Sequence, residues 1–253
     1  MLDRILNLLF PPKCAFCGKV LSGKTRICGD CLPKLPYTAN YRCCERCGIP
    51  LPGEFSYRLC GRCFPVKRPS AEHVFVPLIY AGAAKRAMLR FKYYMHPSYA
   101  EAFAALIAEK MLSYEKPFKP DFITFVPQNK STHFIRGYNQ SELIARRLSE
   151  ILRIPCVPCL VRKDGIARNA TLNAALRRKN VKLGYFPTDK KLDGTALLVD
   201  DVLTTGATVF YCASLLRKMG CKKVYCAAAL IRCKEVSDLY EEQDKRISTH
   251  ARD

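Results

Sequence analysis

Two adjacent carboxylates, Asp200 and Asp201, stand between four apolar residues, Ala196, Leu197, Leu198 and Val199, and a hydroxyl-rich turn, Thr204, Thr205, Gly206, Ala207 and Thr208. The apolar run suits a buried strand. The turn suits a helix start, where unpaired backbone N–H groups and the macrodipole favour a phosphate. Carboxylates repel phosphate, so the acidic pair has to face something else: the vicinal hydroxyls of a sugar and, indirectly, a Mg²⁺ that the substrate carries. A 5-phosphorylated ribose satisfies both halves. Helix capping alone would need only one such residue.

Residues 196–208 resemble the phosphoribosyl-pyrophosphate (PRPP) signature of type I phosphoribosyltransferases. The resemblance implies that Asp200 and Asp201 hold ribose hydroxyls, and that Thr204, Thr205, Gly206, Ala207 and Thr208 form the 5-phosphate cradle.

Nine of the fifteen cysteines fall between Cys14 and Cys63, and eight of them form CxxC pairs: Cys14/Cys17, Cys28/Cys31, Cys44/Cys47 and Cys60/Cys63. Two residues between sulfurs let a tight turn aim both thiolates at one ion, and two such turns close a tetrahedral Cys₄ site for structural Zn²⁺. Neighbouring pairs close most simply as two successive ribbons; an interleaved pairing and an iron–sulfur cluster are the alternatives. A disulfide framework needs an oxidising compartment, and no cleavable signal precedes Cys14. Cys43 is an extra thiol beside the second set, Cys156 and Cys159 have no second pair near them, and Cys212, Cys221, Cys226 and Cys233 read as small core residues.

The formal charge is +20, and two Zn²⁺ on eight thiolates lower it to about +16. Residues 1–68 hold twelve Lys/Arg against four Asp/Glu, and residues 130–182 hold twelve against three. Both regions suit polyphosphate or single-stranded nucleic acid through counterion release, or else form solvated faces. Tyr93, Tyr94, Phe134 and Tyr138 lie near basic residues, where exposed rings would stack on bases and buried ones would pack.

The elements that must position these residues alternate. Residues 1–10 read as a short apolar helix that packs, and residues 65–70 as a linker. Strands are expected at 74–80, 122–126 and 157–161, with helices at 82–92, 99–114 and 141–152. Asn139 and Glu142 have the spacing of a capping pair at the last of these. Such alternation implies a mainly parallel sheet with helices on both faces, and ligands beyond the strand C-termini. No apolar run is long enough to span a membrane.

Three further segments carry a second resemblance: Arg136-Gly137-Tyr138-Asn139-Gln140, Lys92-Tyr93, and Arg177-Arg178-Lys179-Asn180. In this order, behind four CxxC pairs, they resemble the ComF family of competence-associated phosphoribosyltransferase-like proteins over residues 1–233. Asn169 stands where the family pattern has a glutamine. The resemblance implies an α/β type I phosphoribosyltransferase-like fold behind a double zinc ribbon, with the ribbon at 1–68, the domain at 69–233 and a polar tail at 234–253. It implies binding of PRPP with Mg²⁺ and of single-stranded DNA, a role in DNA uptake during natural transformation, and a DNA-translocating helicase as partner. The expected location is the cytoplasm, or its membrane face as a peripheral protein.

Lys130 and Arg136 are the pyrophosphate candidates, since departing negative charge needs cations, and Asp200, Asp201, Arg136 and Lys130 form the catalytic set if chemistry is retained. Arg162, Lys163 and Arg168 are candidates for a closing loop; Lys92, Tyr138 and Asn139 are lesser ones. The four histidines, His73, His96, His133 and His250, form no cluster. The sequence has no Walker loop, no GxSxG elbow and no HExxH motif, so ATPase, serine hydrolase and metalloprotease readings lack support. An active phosphoribosyltransferase with a nitrogen acceptor is the alternative to a binding protein.

Overall fold

The computed structural model describes residues 11–22, 26–51, 57–116, 118–164 and 183–233, with Val236 and Asp238 beyond them. The expected segment 1–10, Arg168, Asn169, the 177–180 motif and the tail other than those two residues lie outside the described residues.

The strands are β1 (Val74–Phe75), β2 (Leu78–Ile79), β3 (Phe122–Phe125), β4 (Leu160–Arg162), β5 (Tyr185–Pro187), β6 (Thr195–Leu203) and β7 (Lys223–Ile231). The helices are α1 (Gly82–Tyr93), α2 (Tyr99–Leu112), α3 (Lys130–Arg136), α4 (Gln140–Leu152) and α5 (Ala207–Lys218). Five strands form a parallel sheet in the order β1, β7, β6, β3, with β2 continuing beside β7 where β1 stops. The centre is the long pair β6 and β7, in register from Thr195 opposite Lys223 to Leu203 opposite Ile231. Both strands read as near-continuous apolar runs because helices cover each face. Leu197, Val199, Ala227 and Ala229 turn to the side of α1, α2 and α4, whereas Ala196, Leu198, Cys226 and Ala228 turn to α5. The parallel α/β architecture with helices on both faces is therefore present.

Three expected elements differ in detail. The strand at 74–80 is split, because Pro77 has no N–H to give to a ladder. The segment at 157–161 is divided too: Cys156 bridges Ile123 in parallel, Pro158 interrupts, and β4 leaves the main sheet to pair antiparallel with β5. Asn139 does cap α4, its side chain accepting from the Ser141 N–H at 3.1 Å and donating to the Val126 carbonyl at 3.0 Å. Glu142 takes no part in the cap and instead pairs with Arg146 one turn on, at 2.7 Å.

The Cys-rich segment lies against this core. Its first half rests on α2, where the Phe16 ring meets Phe103 edge-on at 6.1 Å and Arg26 donates to Glu101 at 2.8 Å. The stretch joining the two halves runs along the outer side of β2 and of the Val76–Pro77 link before it: the Thr38 N–H donates to the Pro77 carbonyl at 2.9 Å, its hydroxyl to the Val76 carbonyl at 2.6 Å, and the Ile79 N–H to the Pro36 carbonyl at 2.8 Å. The second half sits at the C-terminal ends of β6 and β7. Cys212, Cys221, Cys226 and Cys233 are buried, as small core residues should be.

Candidate functional site

Asp200 and Asp201 sit near the C-terminal end of β6, and the hydroxyl turn leads from it into α5. Gly206 is required there: its φ of +76° is left-handed, and a Cβ would fall 2.5 Å from the Phe210 ring. Gly137 plays a similar part in the Arg-Gly-Tyr-Asn-Gln segment, ending α3 at φ +73° so that the chain can turn into α4.

A cleft of about 240 Å³ opens over the acidic pair, walled by Arg136 from α3, Lys92 from α1, Arg162 from β4 and Thr208 from α5. Asp200 accepts from the Ser141 hydroxyl at 3.0 Å and from the Asp201 N–H at 2.9 Å. Burial pushes its carboxyl up to about 7, and the neighbouring Asp201 charge adds to the shift. Asp201 is paired with the Lys92 ammonium at 2.8 Å, with both side chains more than four-fifths covered. Arg136 donates to the Gln140 side-chain oxygen at 3.1 Å and lies 5.1 Å from the centre of the Tyr93 ring; Arg162 lies 5.2 Å from that of Tyr185. The cleft thus sets three cations around two carboxylates, one of which burial holds near neutrality.

Both side-chain amide atoms of Gln128 and the Nε of Arg162 are buried in this wall without a protein partner. Buried polar atoms of this kind fit a ligand that brings acceptors as well as a donor, as a phosphorylated sugar does. Mg²⁺ would arrive on such a ligand, with Asp200 and Asp201 as the carboxylates beside it.

The structure brings Asp200, Asp201, Arg136, Arg162, Lys92, Asn139 and Thr208 to one cleft. Thr204, Thr205 and Gly206 instead line a seam on the other side of the turn, against the second Cys-rich half. Lys130 and Lys163 are exposed and outside the cleft wall; the Lys130 N–H, at the start of α3, donates to Asp164 at 2.8 Å. Tyr138 packs on Phe91 and donates its hydroxyl to the Phe91 carbonyl at 2.6 Å, and Asn139 is spent on the α4 cap. Sequence reasoning missed Gln128, Ser141 and Tyr185. Only Gln128 carried a signal, being the first polar residue after β3, directly behind Pro127.

The cysteines close as two successive sets, Cys14, Cys17, Cys28 and Cys31, and Cys44, Cys47, Cys60 and Cys63, with the sulfurs of each set within 4.8 Å of one another. Cys17 and Cys28 sulfurs are 3.7 Å apart, as are those of Cys47 and Cys60. Four thiolates at Zn–S bond length stand about 3.8 Å apart, so both sets fit tetrahedral Zn²⁺. The interleaved pairing is excluded. Cys43 stays out of the second set, its sulfur directed to the Thr38 carbonyl at 3.3 Å.

The double zinc ribbon domain family matches residues 5–64. DNA utilization protein YhgH of Escherichia coli O157:H7 is 37% identical over 107 residues, 42% of this chain and 47% of the relative. Competence protein F of Haemophilus influenzae is 34% identical over 109 residues, 42% of this chain and 48% of the relative. The chain thus spans about half the length of the curated relatives it matches. Among solved structures, the glutamine PRPP amidotransferase of B. subtilis complexed with ADP and GMP aligns with a TM-score of 0.38 at 19% identity, over 56% of this chain and 30% of that one. With two Cys₄ sets ahead of a parallel α/β domain, and with competence protein F and YhgH among its relatives, the findings support the likeness to the ComF family.

Proposed function

We propose that this protein binds a 5-phosphorylated ribose, PRPP with Mg²⁺, in the cleft over Asp200 and Asp201, binds single-stranded DNA on the adjoining rim, and acts in DNA uptake. The observation that carries the reading is the convergence of the acidic pair, the Thr208 end of the phosphate turn and the cations Lys92, Arg136 and Arg162 on one wall. The names of the relatives, competence protein F and DNA utilization protein YhgH, support the DNA role.

The rim is formed by the end of α1 and by α3, joined where Arg136 lies over Tyr93. Tyr93, Tyr94 and Phe134 are 57%, 69% and 90% exposed there, beside Lys130 and Arg136. Exposed rings among cations are what a single strand stacks on and pairs its phosphates with. Tyr138 is withdrawn into packing and is left out of this surface. A strand does not thread the cradle itself, since a phosphodiester on the ribose 3-oxygen would press its charge against Asp200 and Asp201. Ribose and DNA therefore occupy neighbouring places.

Titration calorimetry with PRPP and Mg²⁺ tests the cradle: binding that weakens on Asp201→Asn is expected, and no heat at millimolar ligand refutes it. The second reading, an active phosphoribosyltransferase, draws on the cations Arg136 and Arg162, placed to offset charge on a departing pyrophosphate. Pyrophosphate release with any one nucleobase would make it the primary reading. The ribbon at 1–68, the domain at 69–233 and the tail at 234–253 are the units we assign. A helicase of the uptake machinery and a place at the inner membrane face belong to the same reading. No described helix is long and apolar enough to cross a membrane.

A further inference from the structure

The phosphate turn has two sides. Thr208 faces the cleft, and Thr204, Thr205 and Gly206 face the second zinc ribbon across a seam of about 20 Å³, room for no more than a single water. Ile49, Cys47 and Cys63 form the ribbon's wall of that seam, against Leu203 and Phe210. Arg62, between the zinc ligands Cys60 and Cys63, donates to the Thr205 carbonyl at 3.4 Å. The ribbon is held in turn by Arg46, which donates to the Val66 carbonyl at 2.9 Å, and Ser70 donates to the Phe210 carbonyl at 2.8 Å where the chain enters the domain.

We infer that the second Cys₄ ribbon is a structural part of the 5-phosphate site, with Arg62 as the positioning residue that fixes the back of the turn. The inference rests on the cradle reading above and adds a second component to it. Phosphate is bound by backbone N–H groups whose directions are set by the peptide planes of residues 204–208. The Arg62 guanidinium restrains one of those planes through its carbonyl. The Phe210 ring, packed beneath Gly206, receives the ribbon's apolar wall. Both restraints depend on the CxxC turn at Cys60 and Cys63 keeping its shape, which structural zinc supplies. Emptying the second metal site should therefore loosen the turn and weaken the hold on a 5-phosphate. Pyrophosphate, whose ligands Arg136 and Arg162 lie across the cleft, should be unaffected.

The test uses the full-length, zinc-loaded protein with ribose 5-phosphate and inorganic pyrophosphate as separate probes. Arg62→Met should weaken ribose 5-phosphate by about fivefold to tenfold, the worth of one hydrogen bond. Arg62→Lys can still donate to the Thr205 carbonyl and should stay within about twofold. Pyrophosphate should bind all three proteins alike. Hydrogen exchange without ligand gives an independent measure: Cys60→Ser should speed exchange across residues 203–210. Unchanged exchange in that segment, or an equal loss for both probes in Arg62→Met, overturns the inference. If the wild-type protein binds no ribose 5-phosphate, the cradle reading fails and the exchange result alone decides whether ribbon and turn are coupled.

Discussion

Replacing Asp200 by Asn should stabilise the protein, and by more as the pH rises. An Asp carboxyl has a reference pKa of 3.8, and burial beside Asp201 raises that of Asp200 to about 7 in the fold. The folded state therefore binds the proton more tightly than the unfolded one. The contribution to stability is fully present below pH 3.8, declines as pH rises toward 7, and is lost above it. At one pKa unit per 1.36 kcal/mol, the ionised carboxylate costs about 4 kcal/mol above pH 7 and about 2 kcal/mol at pH 5.5. These are ceilings, because Asp200 keeps partial contact with solvent at the cleft. Asn retains the oxygen that accepts from the Ser141 hydroxyl and the Asp201 N–H. Urea unfolding from pH 5.5 to 8.5, with zinc present throughout, should show the gain growing by about 2 kcal/mol. Ribose binding should fall in the same variant. A gain or loss that does not change with pH would refute the account of Asp200 as an acid destabilised by burial.

Lys92→Met should cost about 2–3 kcal/mol in urea, since it leaves Asp201 covered and without its partner; a neutral result would mean that the pair is solvated. Elemental analysis should find two Zn²⁺ per chain, and Cys14→Ser should leave one and increase exchange around Phe16, with a single ion in the wild type contradicting the two-ribbon geometry. For a labelled oligonucleotide neutralising five phosphates, the slope of log affinity against log salt should be about −3.5. Phe134→Ala should weaken binding by about 1–3 kcal/mol without changing that slope, and anisotropy unaffected by either perturbation would remove the rim from the DNA surface.

The CxxC pairs were legible because each is contiguous and the two-residue spacing fixes its geometry, and contiguity likewise made legible that the acidic pair ends a buried strand and that the hydroxyl turn opens a helix. The central strands were legible for a related reason: an apolar run such as residues 196–199 has no tolerable place but the interior. What could not be read was which cations converge. Lys92 and Arg162 are far apart in sequence and reach one wall only through the packing of α1 and β4 around β6. Lys130, next to the Pro127 loop, looked the better candidate, but as the first residue of α3 it is exposed outside the cleft wall. The expected strand at 157–161 failed at Pro158, a residue whose missing N–H was visible from the start. Its apolar neighbours outweighed it in the periodicity.

The stretch between the two ribbons has a further consequence for how the protein survives outside its folded, metal-bound state. A parallel sheet ends in strands whose outward N–H and C=O groups invite pairing with another chain. Here the outer side of β2 and of the Val76–Pro77 link before it is taken by Pro36, Tyr37 and Thr38, and β3 is bordered by Cys156 and Val157. The metal module thus acts as a selvedge, closing the edge of the fabric against fraying and against being sewn to its neighbour. Metal starvation would then be felt first as self-association through β2, before the α/β core had begun to unfold.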